Sequence, residues 1–198
     1  MTRLDFLFKH LKTGRILDIG NISGQGKIHK KIIDRFPAAE IYGLDVVDQK
    51  QSGLDFKNQS IGQAENLPYE ENFFDFIYMG EVLEHSWEPK KIMEECGRVL
   101  KTGGLLILDL PNIYSLSRMI RYFFKGRDII LGDPDHKIFY SRAMLENLLE
   151  KSGFGLVEIS TDRQCTVKGR EFFLPNFCSF KFLGEHLMIA GKKLNKKL

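Results

Sequence analysis

The chain has 198 residues, 43% of them hydrophobic and 28% charged, proportions that are typical of a soluble globular chain with one domain and a substantial core. Four of its 29 basic residues lie within 192–197, and the remaining 25 nearly balance the 26 acidic residues, so we expect no nucleic-acid-binding face. Three widely spaced cysteines favour a reducing compartment. No signal peptide or membrane-spanning run is visible, and we therefore expect a cytoplasmic protein.

The first predicted elements are a helix and a short strand that leads into a glycine turn. Apolar positions within residues 2–12 predict a helix that packs on an edge of a sheet or covers a bound ligand. Residues 16–19 are mostly apolar and predict a buried strand. Gly20 then permits a tight backbone turn, because glycine adopts left-handed conformations without steric cost.

A helix and a second strand follow this turn. Residues 23–36 predict an amphipathic helix with Ser23 as its N-cap. Residues 41–44 predict a second buried strand that ends directly at Asp45. The turn and the helix N-terminus present backbone N–H groups beside a carboxylate that can accept from both hydroxyls of a ribose. The arrangement therefore predicts a nucleoside-containing cofactor.

The glycine turn also carries a family motif. Asp18, Gly20 and Gly24 match the Asp-x-Gly-x-Gly-x-Gly motif of the class I S-adenosylmethionine (SAM)-dependent methyltransferases, which this stretch resembles. Ile22 stands in place of the middle glycine. The resemblance implies that Gly20 lets the backbone approach the methionine end of SAM and that Asp18 orients the turn. The cofactor-binding residues predicted in this half of the chain are Asp18, Gly20, Asn21, Gly24 and Asp45.

The third and fourth strands are predicted over residues 54–61 and 73–79. The connection over residues 46–62 shows no helical stripe, although a parallel crossover normally contains a helix. We therefore expect a short or irregular crossover there.

The turn before the fourth strand gives a second match. In this class of methyltransferases it often reads Gly-Asp-Ala-Glu-x-Leu-Pro, and residues 62–68 read Gly-Gln-Ala-Glu-Asn-Leu-Pro. The resemblance implies that Gln63 accepts from the adenine amino group, in place of the usual acid, and that the backbone N–H of Ala64 donates to a ring nitrogen. Glu65 belongs to the same implied site. A glutamine carbonyl keeps the acceptor function without a charge.

Segments after the fourth strand extend the resemblance. Residues 82–85 read Val-Leu-Glu-His, a sequence common in methyltransferases related to the ubiquinone-biosynthesis O-methyltransferases. Residues 98–104 are similar to that group's Arg-x-Leu-Lys-Pro-Gly-Gly, and residues 111–112 close the fifth strand as in those relatives. The chain thus resembles the type 11/type 23 methyltransferase domain, and Glu81 joins the implied cofactor site.

The resemblance implies an α/β fold. The expected architecture is a Rossmann-like three-layer sandwich around a seven-stranded, mostly parallel sheet with an antiparallel last strand. Residues 1–198 would form a single domain, in which residues 154–161 and 185–192 are the final strand pair. Residues 113–134 and 164–184 are candidate cover segments for the acceptor site.

Two histidines are candidate general bases, because a hydroxyl acceptor needs a base and imidazole has an unperturbed pKa near neutrality. His85 lies past the carboxyl end of the fourth strand, where active sites of open α/β sheets form. His136 precedes a helix predicted to begin at the N-cap Ser141 and resembles a histidine of the family. The alternative for each is a hydrogen-bonding residue that fixes a loop. We predict no metal site, and we predict that His10, His29 and His186 are structural or solvent-exposed.

Residues 113–131 have three interpretations. The apolar side chains that share one predicted helical face are Leu116, Met119, Ile120, Phe123 and Phe124. The helix would pack this face on the domain, cover an apolar or lipid-linked acceptor as a lid, or contact a membrane surface.

The leading functional prediction is a SAM-dependent methyltransferase that methylates a hydroxyl of a small molecule and leaves S-adenosylhomocysteine (SAH) as product. One alternative is a non-catalytic SAM-binding or scaffold protein. A nicotinamide-dependent oxidoreductase is less favoured, because residues 62–68 and 82–85 are not expected in such a fold. Sugars, lipid-linked precursors, quinones and other phenols remain as acceptor classes, and the sequence predicts no oligomeric state.

Overall fold

The structure, a computed structural model, describes residues 1–125, 134–162, 164–167, 170–173 and 183–195. The strands span Arg15–Ile19 (β1), Glu40–Asp45 (β2), Gln59–Ile61 (β3), Phe74–Gly80 (β4), Leu100–Pro111 (β5), Phe154–Thr161 (β6), Gln164–Val167 (β7), Arg170–Phe173 (β8) and His186–Lys193 (β9). The α-helices span Arg3–His10 (α1), Lys27–Arg35 (α2), Pro89–Val99 (α3), Leu116–Lys125 (α4) and Arg142–Lys151 (α5). Short 3₁₀ turns occur at Ser23–Gly26, Gln49–Ser52 and Leu83–His85.

Seven strands form the main sheet in the order β3-β2-β1-β4-β5-β9-β6, and β7 and β8 form a separate hairpin. The strands from β1 to β5 pair in parallel, whereas β9 runs antiparallel to both of its neighbours, β5 and β6. The predicted mostly parallel sheet with an antiparallel last strand is confirmed. The chain continues from β1 to β2 on one side and returns to β4 on the other side of β1. Such a switch point opens a crevice beyond the carboxyl ends of the strands.

Helices cover both faces of the sheet and give the three predicted layers. Phe6 of α1 and Ile32 of α2 belong to one buried cluster, and Ile92 of α3 and Leu149 of α5 belong to the other. Successive side chains of a strand point to opposite faces. The inner strands therefore supply apolar side chains to both clusters, which is why they read as nearly continuous hydrophobic runs.

The helix after the glycine turn begins later than predicted. Ser23 starts a 3₁₀ turn, and Gly26 is the N-cap of α2 in a left-handed conformation, with φ +66°. A Cβ at Gly26 would lie 2.6 Å from a ring carbon of Phe56. Both the backbone and the packing therefore require glycine at the N-cap, and the predicted N-cap role of Ser23 is wrong.

Two other local predictions agree with the structure. Residues 46–58, all of which are described, contain a 3₁₀ turn at Gln49–Ser52 and no α-helix, so the crossover between β2 and β3 is irregular. Ser141 is the N-cap of α5, and its hydroxyl accepts from the backbone N–H of Met144 at 3.3 Å.

Candidate active site

A cavity of about 500 Å³ lies beyond the carboxyl ends of β1, β2 and β4. This is the position at which open α/β sheets bind ligands, and the volume suits a small molecule. Leu44 and Ile92 contribute apolar surface to its wall. The predicted cofactor residues that line it are Gly20, Asp45, Gln63, Ala64, Glu65 and Glu81.

The Asp45 carboxylate is fixed at the end of β2 by backbone donors. Its Oδ2 accepts from the N–H of Ile22 and its Oδ1 accepts from the N–H of Val47, both at 3.1 Å. An ionised carboxylate has about four acceptor positions. Each oxygen therefore keeps capacity for a further donor, and the pair can accept from two adjacent hydroxyls.

The glycine turn brings the backbone close to this carboxylate. Gly20 has φ +77°, and a Cβ there would lie 2.4 Å from Cγ2 of Val82. Ile22, in place of the expected middle glycine, has φ −84° and ψ −20°, a right-handed conformation open to any residue. The missing glycine therefore leaves intact both the turn and the hydrogen bond from Ile22 to Asp45.

Residues 63–66 form a turn that also lines the cavity. Asn66 donates its backbone N–H to the carbonyl of Gln63 at 3.1 Å. Ala64 is buried, whereas Gln63 is exposed at the rim. The Glu65 carboxylate accepts from the Ser86 hydroxyl, so this turn is tied to the segment that follows β4.

A second cavity of about 230 Å³ adjoins the first, and Gly20, Ser23 and Glu81 line both. The remaining predicted cofactor residues, Asp18, Asn21 and Gly24, line this second cavity. The structure thus divides the predicted cofactor residues between two connected cavities.

A network of side-chain hydrogen bonds holds Asp18 and Asn21 in place. Asn21 Nδ2 donates to Gln59 Oε1 at 2.7 Å, Gln59 Nε2 lies 3.4 Å from His29 Nε2, and His29 Nδ1 donates to Asp18 Oδ2 at 2.8 Å. Burial raises the pKa of Asp18, and the hydrogen bond from His29 offsets part of that effect. This network links β1, β3 and α2 through His29, which therefore has a structural role, as predicted.

A charged cluster that the sequence pattern did not indicate lies beside Glu81. Arg3 donates from Nη1 to Glu81 Oε1 at 3.1 Å and from Nε to Asp109 Oδ2. His186 Nδ1 lies 3.4 Å from both Glu81 Oε1 and Asp109 Oδ1. Burial lowers the pKa of His186, but the hydrogen bond and charge of Asp109 raise it more, so the net shift is upward.

His186 is predicted from the sequence to be structural or solvent-exposed, and the structure places it beside Glu81, which lines both cavities. The antiparallel pairing of β9 with β5 places His186 opposite Pro111 in register, next to Asp109. No local signal could have shown this, because His186 and Glu81 are distant in the chain. Arg3 carried a weak signal, since α1 was predicted either to pack on an edge or to cover a ligand.

The two candidate bases meet beyond the carboxyl end of β4. The ring centroids of His85 and His136 are 4.7 Å apart. His85 Nδ1 lies 3.3 Å from the carbonyl oxygen of Asp135, and the N–H of Lys137 donates to the carbonyl of Glu84 at 2.7 Å. The loop that carries His136 is thus pinned to the 3₁₀ turn that carries His85. Burial raises the pKa of the Glu84 carboxyl to about 8.

The predicted cover segments are partly described. Leu116, at the start of α4, donates its N–H to the carbonyl of Leu183 at 2.8 Å, which joins the two segments. Phe123 and Phe124 are 77% and 86% exposed, so these two rings do not pack on the described part of the domain. None of the described helices is both long and apolar enough to cross a membrane. Residues 126–133 and 174–182 lie outside the described residues.

Comparison with known proteins gives matches to a methyltransferase domain and to proteins related to it by sequence. The profile of a methyltransferase domain, that of type 11, matches residues 17–108. The biotin biosynthesis bifunctional protein BioHC of Cellvibrio japonicus is 37% identical over 158 residues, which are 76% of this chain and 29% of that protein. The malonyl-[acyl-carrier protein] O-methyltransferase of Methylococcus capsulatus is 26% identical over 177 residues, which are 86% of this chain and 62% of that protein. The chain therefore spans less than two thirds of the length of these relatives.

The fold comparison agrees. A solved SAM-dependent methyltransferase from Archaeoglobus fulgidus superimposes with a TM-score of 0.74 at 20% identity, over 96% of this chain and 91% of that one. The profile match assigns residues 17–108 to a methyltransferase domain family, and the similarity of fold agrees with the class I SAM-dependent methyltransferases. SAM is the cofactor that this family uses. This result disfavours the nicotinamide-dependent alternative.

Proposed function

We propose that the protein transfers a methyl group from SAM to a hydroxyl of a small-molecule acceptor. The observation that carries the proposal is the Asp45 carboxylate, which two backbone N–H groups fix at the rim of the 500 Å³ cavity beside the Gly20 turn. A carboxylate in this position can accept from both hydroxyls of a ribose. Gly20, where the positive φ and the contact with Val82 exclude a side chain, leaves the backbone of this turn without a side chain beside the cavity.

The two cavities suit the two parts of the cofactor. In the larger cavity, Asp45 would hold the ribose while Gln63 and the Ala64 backbone would hold the adenine. The smaller cavity contains the cations Arg3 and Lys27 and the carboxylate of Glu81. Opposite charges of this kind suit the carboxylate and the ammonium group of the methionine part.

The chemistry requires little of the protein beyond positioning and proton removal. When bound, SAM supplies a methyl group on a sulfonium sulfur, which keeps the electron pair of the broken bond. The residues that line the cavities hold the reactants in line, an effect that can lower a barrier by about 7–11 kcal/mol. His85 or His136 would accept the proton that the acceptor hydroxyl loses.

The acceptor is proposed to be apolar or lipid-linked. The exposed rings of Phe123 and Phe124 and the described part of the hairpin β7–β8 belong to the two predicted cover segments. The relative from Methylococcus capsulatus acts, by its name, on a malonyl group carried by a protein. An acceptor with an apolar or carrier-linked portion would contact α4 while its hydroxyl faces the two histidines.

A non-catalytic SAM-binding protein is the second candidate, because Ile22 and Gln63 depart from the family motif. Turnover separates the two functions. We would screen metabolite extracts with methyl-labelled SAM and the purified protein. A labelled product supports the methyltransferase, whereas SAH binding without any labelled product across sugar, quinone, phenol and lipid-linked acceptors would support the binding protein.

Calorimetry tests the cofactor directly. We expect the wild-type protein to bind SAH and not NAD. If titration of SAH into the wild-type protein gives no binding heat, and SAM does not bind either, the proposed function as a whole is contradicted.

A further inference from the structure

Three side chains with metal-ligating atoms converge beside the cofactor cavity. Glu84, His85 and His136 each offer one ligand atom, and these atoms all lie within 4.8 Å of one another. Metal bonds to imidazole nitrogen and carboxylate oxygen are about 2.0–2.2 Å long. Bound ligand atoms are therefore roughly 3–4 Å apart, and small side-chain rotations would close the site.

The Glu84 carboxylate needs a partner that the described residues do not supply. The residue is 2% exposed, and neither Oε1 nor Oε2 has a hydrogen-bond partner in the described part of the chain. Leaving a buried carboxyl group unpaired is costly, and buried acidic groups are normally paired or coordinate a metal ion. A cation between this carboxylate and the two imidazoles would remove that cost.

The tautomer of His85 is the one that a metal ligand requires. Its Nδ1 lies 3.3 Å from the backbone carbonyl of Asp135, and because a carbonyl oxygen only accepts, Nδ1 carries the proton. The lone pair of Nε2 is then available. Metal-binding histidines almost always donate their second ring N–H to a carbonyl or a carboxylate in this way.

We propose that Glu84, His85 and His136 bind one divalent transition-metal ion, for which Zn²⁺ is the probe. Two imidazoles and one carboxylate suit zinc or iron(II) and leave coordination positions open. His85 also lines the cofactor cavity, so the open positions would be accessible to the hydroxyl of an acceptor. That catalytic consequence rests on the proposed function and replaces the general-base role of the two histidines. The cation site itself does not depend on the proposed function.

The test is Zn²⁺ titration of the tag-free full chain after treatment with EDTA, with metal analysis of the dialysed protein. We expect one Zn²⁺ per chain. The isosteric change Glu84→Gln and the changes His85→Gln and His136→Gln should each weaken binding at least tenfold. His10→Gln is the matched control, because His10 contacts Glu158 and lies outside the cluster, and it should leave the affinity unchanged.

Three results would overturn the metal site: no Zn²⁺ binding by the wild type, wild-type affinity in all three cluster variants, or loss of binding only in His186→Gln. Circular dichroism verifies that each variant is folded. SAH titration of the same samples keeps the two proposals apart. Retained SAH binding without Zn²⁺ binding removes the metal site alone, and Zn²⁺ binding without SAH binding supports the metal site while it removes the proposed function.

Discussion

Asp45 ends β2 and lines the larger cavity, whereas Glu84 lies in the 3₁₀ turn after β4, next to His85 of the same cavity wall. The two carboxyl groups are held in opposite ways. Asp45 is half-buried and accepts from two backbone N–H groups at 3.1 Å. Glu84 is buried, and the described residues give its carboxylate no donor. A carboxylate that two backbone N–H groups hold in place can stay ionised and still accept hydrogen bonds from hydroxyls. A carboxylate without donors is stable in charged form only when a cation or another partner reaches it.

We expect this difference to separate the roles of the two ends in the proposed methyl transfer. At the end of β2, the glycine turn and the Asp45 carboxylate are joined by the hydrogen bond from Ile22. The end of β4 depends on a loop from a distant part of the chain, pinned by the carbonyl of Glu84. We therefore expect changes at the β2 end to alter cofactor affinity and changes at the β4 end to alter turnover and the pH dependence of stability.

The largest expected effect is on turnover. With an acceptor found by the labelled screen, His85→Ala or His136→Ala should reduce the rate about 10²–10⁴-fold, because removal of a general base or of a metal ligand leaves the hydroxyl proton in place. SAH affinity should stay within a few-fold of the wild type. His10→Gln serves as control. Near-normal rates in both alanine variants would show that neither histidine takes part in proton removal and that catalysis depends on positioning of the reactants.

A second large effect concerns the stability of the metal-free protein. Burial raises the pKa of Glu84 from 4.5 to about 8, so the folded protein keeps a proton that the unfolded chain releases between these values. The free energy of unfolding therefore falls as the pH rises from 4.5 to 8. At about 1.4 kcal/mol per pKa unit, the loss is on the order of 3–5 kcal/mol.

Glu84→Gln should remove this pH-dependent loss, because a glutamine has no proton to release. Urea unfolding at pH 5.5 and 8.5 in EDTA is the measurement, and the variant should be the more stable protein at pH 8.5. Glu70→Gln, a change of an exposed glutamate, is the control. A wild-type stability that is flat over this range would show that the Glu84 carboxyl titrates normally.

Cofactor affinity tests the role of Asp45 at the end of β2. Under the proposed function, Asp45→Ala would remove charge-assisted hydrogen bonds to the ribose, each worth about 1.5–3 kcal/mol, and it frees the N–H of Ile22. SAH should bind at least tenfold more weakly by calorimetry, with turnover at saturating SAM much less affected. Asp55→Ala, on the exposed surface after β2, should bind normally. Unchanged affinity in Asp45→Ala would remove the ribose role and leave the family assignment intact.

The smallest expected effect is in hydrogen exchange of α4. Peptides from residues 116–124 should exchange fast in the free protein and several-fold more slowly with SAH and acceptor together, if the exposed rings of Phe123 and Phe124 cover the acceptor. Peptides from α3 are the internal control. Protection by anionic vesicles alone would instead favour a membrane-surface helix, and strong protection in the free protein would favour core packing.

The sequence by itself predicted the cofactor half of the proposed site, because the signals for that half are local. The glycine turn, Asp45 and the turn at residues 62–68 each follow a strand, and the carboxyl ends of parallel strands meet at one edge of a sheet. Prediction of the strands was therefore enough to predict that these residues lie close together. Ile22 could replace the expected glycine because its position has a right-handed backbone, a point that no residue count reveals.

Only the tertiary structure decided the other half. Arg3 and His186 reach Glu81 and Asp109 because α1 covers this rim and β9 inserts antiparallel beside β5. His136 meets Glu84 and His85 through a loop about fifty residues further along the chain. A sequence pattern records which residues are near one another along the chain, whereas desolvation and pairing of charge depend on the sum of contacts from all elements. The burial of Glu84 and the exposure of Phe123 and Phe124 are set by that sum, so the structure was needed to find them.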